Sequence, residues 1–396
     1  MENFFYSVPT KVNFGKGAIA KLPSYVKKFG SRVLLVYGGG SIKRTGLYDE
    51  AMKLFHENDI VCMELAGVEP NPRLSTVRRG IKLCRDLAVD VIVPIGGGSS
   101  IDCAKGIAAG ALYDGDVWEL VNDSSLIKRT LPIIAISTMS ATGSEMDPFS
   151  VITNEATKEK RDLYHQSLYP EYAILDPEYT YSLPPHQTAA GVADIMSHIF
   201  EVYFAPGTNT FMQDRMMEAL LKTLVTYGPI AYREPDNYDA RANIMWASEW
   251  AINGFIACGR SGPWAAHAIE HPLSAFYDIT HGQGLAVITP VLMEYILNDE
   301  SLERFVSLGL NVFHIDKKLP EMEIAKKAIE ALKTFFRKMA IPDSFKKLGI
   351  SDDSQFEAMA ECAVREGIDE CLVPLSKEDV VNIYRGCMQP KNANDF

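Results

Sequence analysis

The sequence predicts an α/β domain built on a mostly parallel, Rossmann-like sheet, followed by an all-α domain. In residues 1–180, short runs rich in β-branched residues alternate with helical stretches, which is the pattern of βαβ units. In residues 181–396, strand signals thin out and long amphipathic segments take over. A chain of 396 residues also exceeds the usual size of a single core, so we expect two domains with a boundary near residue 180.

Three apolar runs predict strands whose ends place loops at one edge of this sheet. Ligands of parallel α/β sheets bind beyond the carboxyl ends of the strands, so the loops after these runs are candidate binding loops. The runs are residues 33–37, followed by Gly38, Gly39 and Gly40; residues 89–95, followed by Gly96, Gly97 and Gly98; and residues 133–136, followed by Ser137 and Thr138.

Amphipathic segments predict the helices of the second half of the chain. They cover residues 214–227, 238–258, 302–313, 322–339 and 377–384. We expect the helical stretches to break at Gly228, Pro229, Pro235, Pro320 and Pro342.

Composition and charge restrict the partners and the compartment. The net charge is −12 and like charges do not run together, which argues against a nucleic-acid footprint or a polybasic membrane patch. We expect small-molecule partners. No apolar stretch is long enough to span a membrane, and the first residues lack a secretory leader pattern. Seven scattered cysteines without CxxC spacing fit a reducing compartment, so we expect a cytoplasmic protein.

The loop at Gly96–Gly98 is the strongest local signal. Ser99 and Ser100 follow the glycines and open a helix that carries Asp102 and Lys105. Glycines let the backbone approach a pyrophosphate, and free N–H groups at a helix start favour its negative charge. Asp102 could orient an amide or a ribose hydroxyl. The alternative interpretation is a tight βα turn with a serine cap.

The loop at Gly38–Gly40 bears on which dinucleotide binds. NAD-binding α/β folds usually hold the ribose 2′-hydroxyl with an Asp or Glu, which would repel a 2′-phosphate. Here the loop offers a hydroxyl at Ser41 and cations at Lys43 and Arg44. We therefore predict a preference for NADP(H). The alternative is that Lys43 and Arg44 form an ordinary solvated face.

A third loop, residues 137–145, is rich in hydroxyl groups. It contains Ser137, Thr138, Ser140, Thr142 and Ser144. Such side chains suit contacts with a phosphate or a nicotinamide amide, whereas the alternative is an ordinary turn that caps a helix. As the third such loop on one sheet, it fits a dinucleotide crevice.

A candidate metal site lies in the helical half. Asp194 and His198 are four residues apart, His267 and His271 are four apart, and His281 follows. Residues four apart share one face of a helix, so each pair can direct both side chains to one point. Converging carboxylate and imidazole groups are typical of a metal site. A surface hydrogen bond or a satisfied core histidine explains the same spacing.

Taken in order, the motifs resemble the metal-dependent (iron-type) alcohol dehydrogenase family, in particular its NADPH-dependent butanol dehydrogenase and aldehyde reductase branch. The resemblance covers nearly the whole chain and rests on NFGKG (13–17), GGGS (38–41), EPNP (69–72), GGGSxxDxxK (96–105), TGSE (142–145), LDP (175–177), GxxDxxxH (191–198) and HxxxHPL with a later HG (267–282). In one departure, Ser137 and Ala141 stand where many members carry Pro and Gly before TGSE, which puts the fine geometry of that loop in question.

The resemblance implies a dinucleotide-binding α/β domain in residues 1–180, a helical metal-binding catalytic domain in residues 181–396, and a homodimer. It implies that one divalent metal ion is held by Asp194, His198, His267 and His281, with His271 close by. It also implies cofactor contacts at Gly38, Ser41, Asn71, Gly97, Gly98, Ser99, Asp102, Thr138, Ser140, Thr142, Ser144 and Lys160.

The implied activity is the NADP(H)-linked interconversion of aldehydes and primary alcohols of the butanal and butanol type, with broad specificity. Zinc and ferrous iron both accept such ligands, so the ligand types do not choose between them. His271 shares a helix face with His267, and the ordinary pKa of an imidazole suits proton transfer near neutrality, so we predict that it relays a proton. The alternative is that His271 only orients a ligand.

Three rival functions stay open. An NAD-dependent 1,3-propanediol or polyol dehydrogenase would need extra polar groups, whereas Trp264, Phe255 and Phe276 favour apolar chains. A phospho-sugar cyclase of the dehydroquinate synthase type would need a basic cluster, and residues 245–285 contain only Arg260. A catalytically inactive protein that senses NADPH would keep the fold without turnover.

Overall fold

The computed structural model describes residues 1–207 and 209–389, which divide into two compact units. The α/β unit comprises Ser7–Leu183 and Pro235–Asn253. The helical unit comprises Met1–Tyr6, Pro184–Glu234 and the described residues from Gly254 onward. Residues 235–253 pack with the α/β unit, although they lie within the domain 181–396 predicted from the sequence.

The α/β unit is built on a six-stranded, all-parallel sheet with the strand order β1-β8-β5-β4-β2-β3. A separate antiparallel hairpin is formed by β6 and β7. The predicted parallel α/β fold is therefore confirmed. The strands are β1 (Lys11–Phe14), β2 (Arg32–Tyr37), β3 (Val61–Ala66), β4 (Val91–Gly96), β5 (Ile134–Ser137), β6 (Phe149–Asn154), β7 (Glu159–Tyr164) and β8 (Tyr172–Leu175).

The helices confirm the prediction that long helices replace strands after the sheet. They are α1 (Leu22–Val26), α2 (Ser41–Arg44), α3 (Leu47–Glu57), α4 (Leu74–Asp86), α5 (Gly98–Ala111), α6 (Val117–Asn122), α7 (Pro185–Tyr203), α8 (Phe211–Arg233), α9 (Tyr238–Ile252), α10 (Ala265–Tyr277), α11 (His281–Ile296), α12 (Leu302–Asn311), α13 (Glu321–Lys338), α14 (Phe356–Ala363) and α15 (Lys377–Gly386).

The central strands are apolar on both faces, which explains why they read as continuous hydrophobic runs. In β2, Leu34 and Val36 belong to one core cluster, whereas Val33 and Leu35 belong to another. Successive side chains of a strand point to opposite faces, so each face of the sheet has its own core. The turns at the strand ends are therefore held at one edge of a sheet that is packed on both faces.

The expected break at Gly228 and Pro229 is wrong, because α8 continues through both residues to Arg233. Proline usually breaks a helix because it lacks an N–H group and its ring crowds the preceding turn. Here Gly228 is buried, and a Cβ atom on it would lie 3.2 Å from Val192 and 3.4 Å from Phe335. Packing on the neighbouring helices therefore favours the continuous helix.

The described residues contain no helix that is long and apolar enough to cross a membrane. β1 lies at one edge of the six-stranded sheet. The cytoplasmic location and the homodimer stay predictions, because a single chain tests neither.

Candidate functional site

Helix α7 supplies the first two residues of the candidate metal centre. Asp194 and His198 are both buried and lie one turn apart on α7, as their spacing predicted. Nε2 of His198 is 3.5 Å from Oδ1 of Asp194. The pair therefore points into the helical unit rather than forming a surface hydrogen bond.

Helix α10 supplies His267, whose ring is oriented by the buried Glu201 of α7. Oε1 of Glu201 accepts the backbone N–H of His267 at 2.8 Å and lies 2.8 Å from its Nδ1. When Glu201 is ionised its oxygens can only accept, so Nδ1 is then the donor in the second contact and Nε2 carries the lone pair. Glu201 also lies beside the backbone N–H groups of Ala265 and Ala266 at the start of α10, and these groups lower its pKa.

Helix α11 begins at His281, and a second buried carboxylate orients this residue. Nδ1 of His281 contacts Oε2 of Glu270, and Oε1 of Glu270 accepts the hydroxyl of Ser274. A Cβ atom on Gly282 would overlap the backbone of Ala190, so glycine allows α11 to start directly against α7. This close approach brings Nε2 of His281 to 3.7 Å from Oδ1 of Asp194.

The imidazoles and Asp194 form one cluster within the helical unit. One ligand atom each from Asp194, His267 and His281 lies within 4.8 Å of the others. The rings of His198 and His267 stack at 5.0 Å between centroids. His271 lies beside the cluster, 5.6 Å from the His281 ring, and belongs to a second group with Glu270 and His281.

The indole ring of Trp264 packs beside this cluster. The Trp264 ring centroid is 5.0 Å from the ring of His267 and 5.6 Å from that of His198. Phe255 and Phe276, the other expected aromatic residues, are partly buried in the same unit. The environment of the imidazoles is therefore apolar on the side that Trp264 covers.

Burial controls the charge of the groups around the cluster. Burial lowers the pKa of His198 well below its usual value, and His267 lowers it further, so His198 is neutral. Burial also raises the pKa of Glu201 to about 8, against the effect of three backbone N–H groups. A neutral imidazole is the form that ligates a metal ion.

These donor atoms fit a divalent metal ion. Three of the four predicted ligands lie within 4.8 Å of one another, whereas His198 lies outside this group, with its ring 5.0 Å from that of His267. With His198 the set comprises one carboxylate and three imidazoles, which zinc and ferrous iron both accept. In addition, Glu201 and Glu270 hold the Nδ1 atoms of two rings, which is the usual outer arrangement around metal-bound histidine. The sequence reasoning missed both glutamates, although each follows a predicted histidine by three positions and so shares its helix face.

In the α/β unit, the second and third candidate loops converge beyond the sheet. A Cβ atom on Gly98 would overlap the side chain of Thr142, and one on Gly97 would lie 3.3 Å from Met139. The backbone N–H of Thr138 donates to Gly96 at 2.9 Å. The glycines therefore permit close packing of the two loops, as well as the approach of a ligand.

The first loop joins the same edge. A Cβ atom on Gly38 would lie 3.3 Å from the carbonyl oxygen of Val68. Ser99 donates its hydroxyl to the carbonyl oxygen of Pro70, next to the buried Asn71. A Cβ atom on Gly38 would also lie 3.9 Å from Oγ of Ser100, so the first loop meets the second at the carboxyl edge of the sheet, as expected for parallel strands.

Two predicted cofactor residues make internal contacts that the sequence did not indicate. Asp102 is buried, and its oxygens accept the hydroxyl of Ser144 at 2.6 Å and the backbone N–H of Val151 at 3.1 Å. Burial raises the pKa of Asp102 to about 6, against the effect of Lys105. Asp102 and Ser144 therefore stabilise the loop of residues 137–145 through internal hydrogen bonds. Contact with a cofactor stays a prediction for both residues.

The remaining predicted cofactor residues lie at the loop surfaces or farther along the unit. Ser41 is exposed at the start of α2, and Ser99, Thr138, Ser140 and Thr142 are partly buried on the converging loops. Lys160 lies on the β6–β7 hairpin, opposite Thr153.

Two family models match the chain and together cover most of it. The model of iron-containing alcohol dehydrogenase matches residues 9–177. The C-terminal model of the Fe-containing alcohol dehydrogenase family matches residues 188–388. Both units therefore carry the family pattern.

Characterised relatives and a solved structure agree with these matches. The NADH-dependent butanol dehydrogenase A of Clostridium acetobutylicum is 52% identical over 97% of this chain and 99% of its own length. The NADPH-dependent aldehyde reductase YqhD of Escherichia coli is 36% identical over 93% of this chain and 95% of its own. The crystal structure of NADH-dependent butanol dehydrogenase A from Thermotoga maritima aligns with a TM-score of 0.93 at 37% identity, covering 98% of this chain and 99% of that one.

The Glu201→Gln variant should weaken metal binding by about 10- to 100-fold, because an uncharged amide supports the Nδ1 proton of His267 less well than a carboxylate. Burial raises the pKa of Glu201 to about 8, but the positive charge of a bound metal ion favours its ionised form. Competition with a chelator of known affinity measures the loss of metal affinity. Glu218→Gln is the matched control, since Glu218 is also buried in the helical unit but bonds to Tyr203 and Arg215. Equal metal affinity in both folded variants would contradict an orienting role for Glu201.

Proposed function

The chain belongs to the iron-containing alcohol dehydrogenase family, and from that premise we propose that it interconverts aldehydes and primary alcohols of the butanal and butanol type. Family membership makes it an alcohol or aldehyde oxidoreductase with a nicotinamide cofactor and an iron-type divalent metal ion. The substrate class, the site residues and the choice of dinucleotide are the proposed part.

The observation that carries the proposal is the cluster of Asp194, His267 and His281, with donor atoms within 4.8 Å of one another and two rings fixed by buried glutamates. With His198, these residues would hold one metal ion. Such an ion supplies Lewis acidity toward a carbonyl or alcohol oxygen. A nicotinamide ring accepts or supplies the hydride.

The side chains around the cluster bear on the choice of substrate and on proton transfer. The indole of Trp264 excludes water from one side of the imidazoles and favours an apolar alkyl chain on the substrate. His271 lies beside His281 without belonging to the closest group of donor atoms around Asp194. We assign it the transfer of a proton to and from the substrate oxygen.

The phospho-sugar cyclase alternative is disfavoured by the surroundings of Arg260. Its guanidinium donates to the carbonyl oxygens of Val202 and Tyr203 and to the side chains of Thr210 and Asp214. Arg260 is buried and engaged in these bonds, so it does not offer a phosphate site.

Removal of the metal ion should abolish activity. We expect about one equivalent of iron or zinc per chain, loss of butanal-dependent NAD(P)H oxidation on chelation, and recovery on adding the metal back. His267→Ala should lose both the metal ion and turnover while it still binds the dinucleotide. Full activity without a metal ion, or loss of dinucleotide binding with the metal ion retained, would overturn the proposed site.

The His271→Ala variant should lower turnover by about 100-fold or more, because the substrate oxygen loses its proton donor. Metal content and dinucleotide affinity should be unchanged, and added imidazole should restore part of the rate. His186→Ala, on the exposed start of α7, is the control. Loss of the metal ion from His271→Ala would instead indicate that His271 orients a ligand.

The choice of dinucleotide depends on the charges beside the first loop. Nζ of Lys43 lies 3.7 Å from Oε2 of Glu64, and Glu64 also accepts the hydroxyls of Tyr37 and Tyr48. One of the two cations that suggested NADP(H) is therefore paired with a carboxylate, while Arg44 is exposed. We infer that the loop accepts NADPH through Ser41 and Arg44, and that Glu64 keeps NADH competitive.

Two kinds of relative support this inference. The Clostridium relative at 52% identity is NADH-dependent by name, and the Escherichia relative at 36% is NADPH-dependent by name. A chain whose loop combines an exposed arginine with a lysine paired to a carboxylate has features that suit either dinucleotide.

The Glu64→Gln variant should shift the preference toward NADPH by roughly two- to fivefold, since an exposed ion pair of this kind is weak. The ratio of kcat/KM for NADPH to kcat/KM for NADH measures the shift. Arg44→Ala should move the same ratio in the opposite direction. A ratio unchanged in both variants would contradict the role of these charges.

A further inference from the structure

Two glutamates meet in the interior of the α/β unit, behind the loop of residues 138–144. Glu145 is 1% exposed and follows this loop in a short 3-10 helix, Ser144–Met146. Glu249 is 0% exposed and lies on α9. The two carboxyl groups are close enough to affect each other's pKa, and Oε2 of Glu249 is buried without a hydroxyl or N–H donor among the described residues. Neither residue takes part in the reaction proposed above.

The loop rests directly on α9. Gly143 has a φ of 61°, and a Cβ atom on it would lie 2.8 Å from the carbonyl oxygen of Ser248 and 2.5 Å from Ile252. On its other side, the loop packs against Gly98 through Thr142. A segment about 100 residues later in the chain therefore forms the support of the candidate nicotinamide loop.

The charges around the two glutamates do not include a free cation among the described residues. The ammonium of Lys105 donates to Asp147 at 2.7 Å, to Ser144 at 2.9 Å and to the carbonyl oxygen of Phe149 at 2.7 Å. Asp102 and Asp147 already share that single positive charge. The hydroxyl of Ser248 lies 3.5 Å from Oε1 of Glu249. The carboxyl group of Glu145 lies near its own backbone N–H and near the hydroxyl of Ser137, which donates to the carbonyl oxygen of Met139 at 3.2 Å.

Two ionised carboxylates cannot share such a position at low cost, because like charges repel strongly where water is excluded. Burial raises the pKa of Glu145 and of Glu249, and each carboxyl group affects the other. A proton kept by one carboxyl group and donated to the other would remove this repulsion. A hydrogen bond of this kind to a charged acceptor is among the stronger ones in proteins.

We propose that Glu249 is a positioning residue for dinucleotide binding, which holds residues 138–144 against α9 through a proton shared with Glu145. The proposal rests on the proposed function, because that function supplies the role of the loop. When the shared proton is lost, both carboxyl groups are negatively charged, and their repulsion moves the loop away from α9. Dinucleotide affinity should therefore fall at alkaline pH.

Two variants of equal length separate the hydrogen bond from simple packing. Glu249→Gln keeps a donor toward Glu145 that no base can remove. Glu249→Met fills the same space without a donor or an acceptor, so the Glu145 carboxyl loses its partner. Asn243→Ala is the control, since Asn243 is exposed on the same helix. Glu145→Gln repeats the test from the other side of the pair.

Two measurements on the metal-loaded protein read the effect. Hydrogen exchange of the peptide that covers residues 138–146, measured without a dinucleotide, reports how firmly the loop is held against α9. Titration with NADH and NADPH across neutral and alkaline pH reports its binding. Glu249→Gln should match the unmodified protein at neutral pH and keep its affinity where that protein loses it. Glu249→Met should exchange faster and bind about tenfold more weakly or worse, with unchanged metal content.

The outcomes distinguish this proposal from the proposed function. Slow exchange and full affinity in Glu249→Met would contradict the proposal that a proton shared by Glu145 and Glu249 holds the loop. The same behaviour in Glu249→Gln and Glu249→Met would contradict it as well. If Glu249→Met does not fold, the alkaline loss of affinity that Glu249→Gln and Glu145→Gln should remove still decides the question. If the unmodified protein binds neither dinucleotide, the proposed function fails, and hydrogen exchange alone then tests whether Glu249 holds the loop.

Discussion

The helical unit depends on the hydrogen bonds that Glu201 accepts at the start of α10. This carboxyl group contacts both the backbone N–H and Nδ1 of His267 and lies beside the N–H groups of Ala265 and Ala266. One buried group on α7 therefore fixes both where α10 begins and how its histidine is turned. Glu270 repeats the arrangement for His281, and Gly282 lets α11 start against α7. Burial makes these bonds matter, because a carboxyl group without partners would be costly there.

The sequence predicted the parts of the molecule that follow from local rules. Apolar runs ending in glycine or serine predicted three central strands and the edge where their loops meet, because parallel strands end at one side of a sheet. The spacing of Asp194 and His198, and of His267 and His271, predicted shared helix faces, because the helix has a fixed period. These features need no knowledge of which segments pack together.

The parts that sequence reasoning missed depend on contacts between distant segments. Nothing local shows that α9 supports the loop before Glu145, since the two are about 100 residues apart. The same holds for Asp102, whose position after a glycine loop suggested a cofactor contact but whose oxygens bind Ser144 and Val151. Pro229 gives the opposite case, in which a reliable local signal is overruled by the packing of its helix.

The two units face the same physical problem and meet it by different means. Around Lys105 in the α/β unit, burial raises the pKa of Asp102, Glu145, Asp147 and Glu249, so protons balance part of the charge. In the helical unit, Asp194, Glu201 and Glu270 surround imidazoles, of which His198 is held neutral by burial. A neutral His198 balances none of this charge, and burial raises the pKa of Glu201 to about 8, so the charged carboxylate is costly here without a nearby cation. A divalent metal ion would supply the missing positive charge where the Nε2 atoms converge, which gives the buried glutamates a role in metal binding as well as in folding.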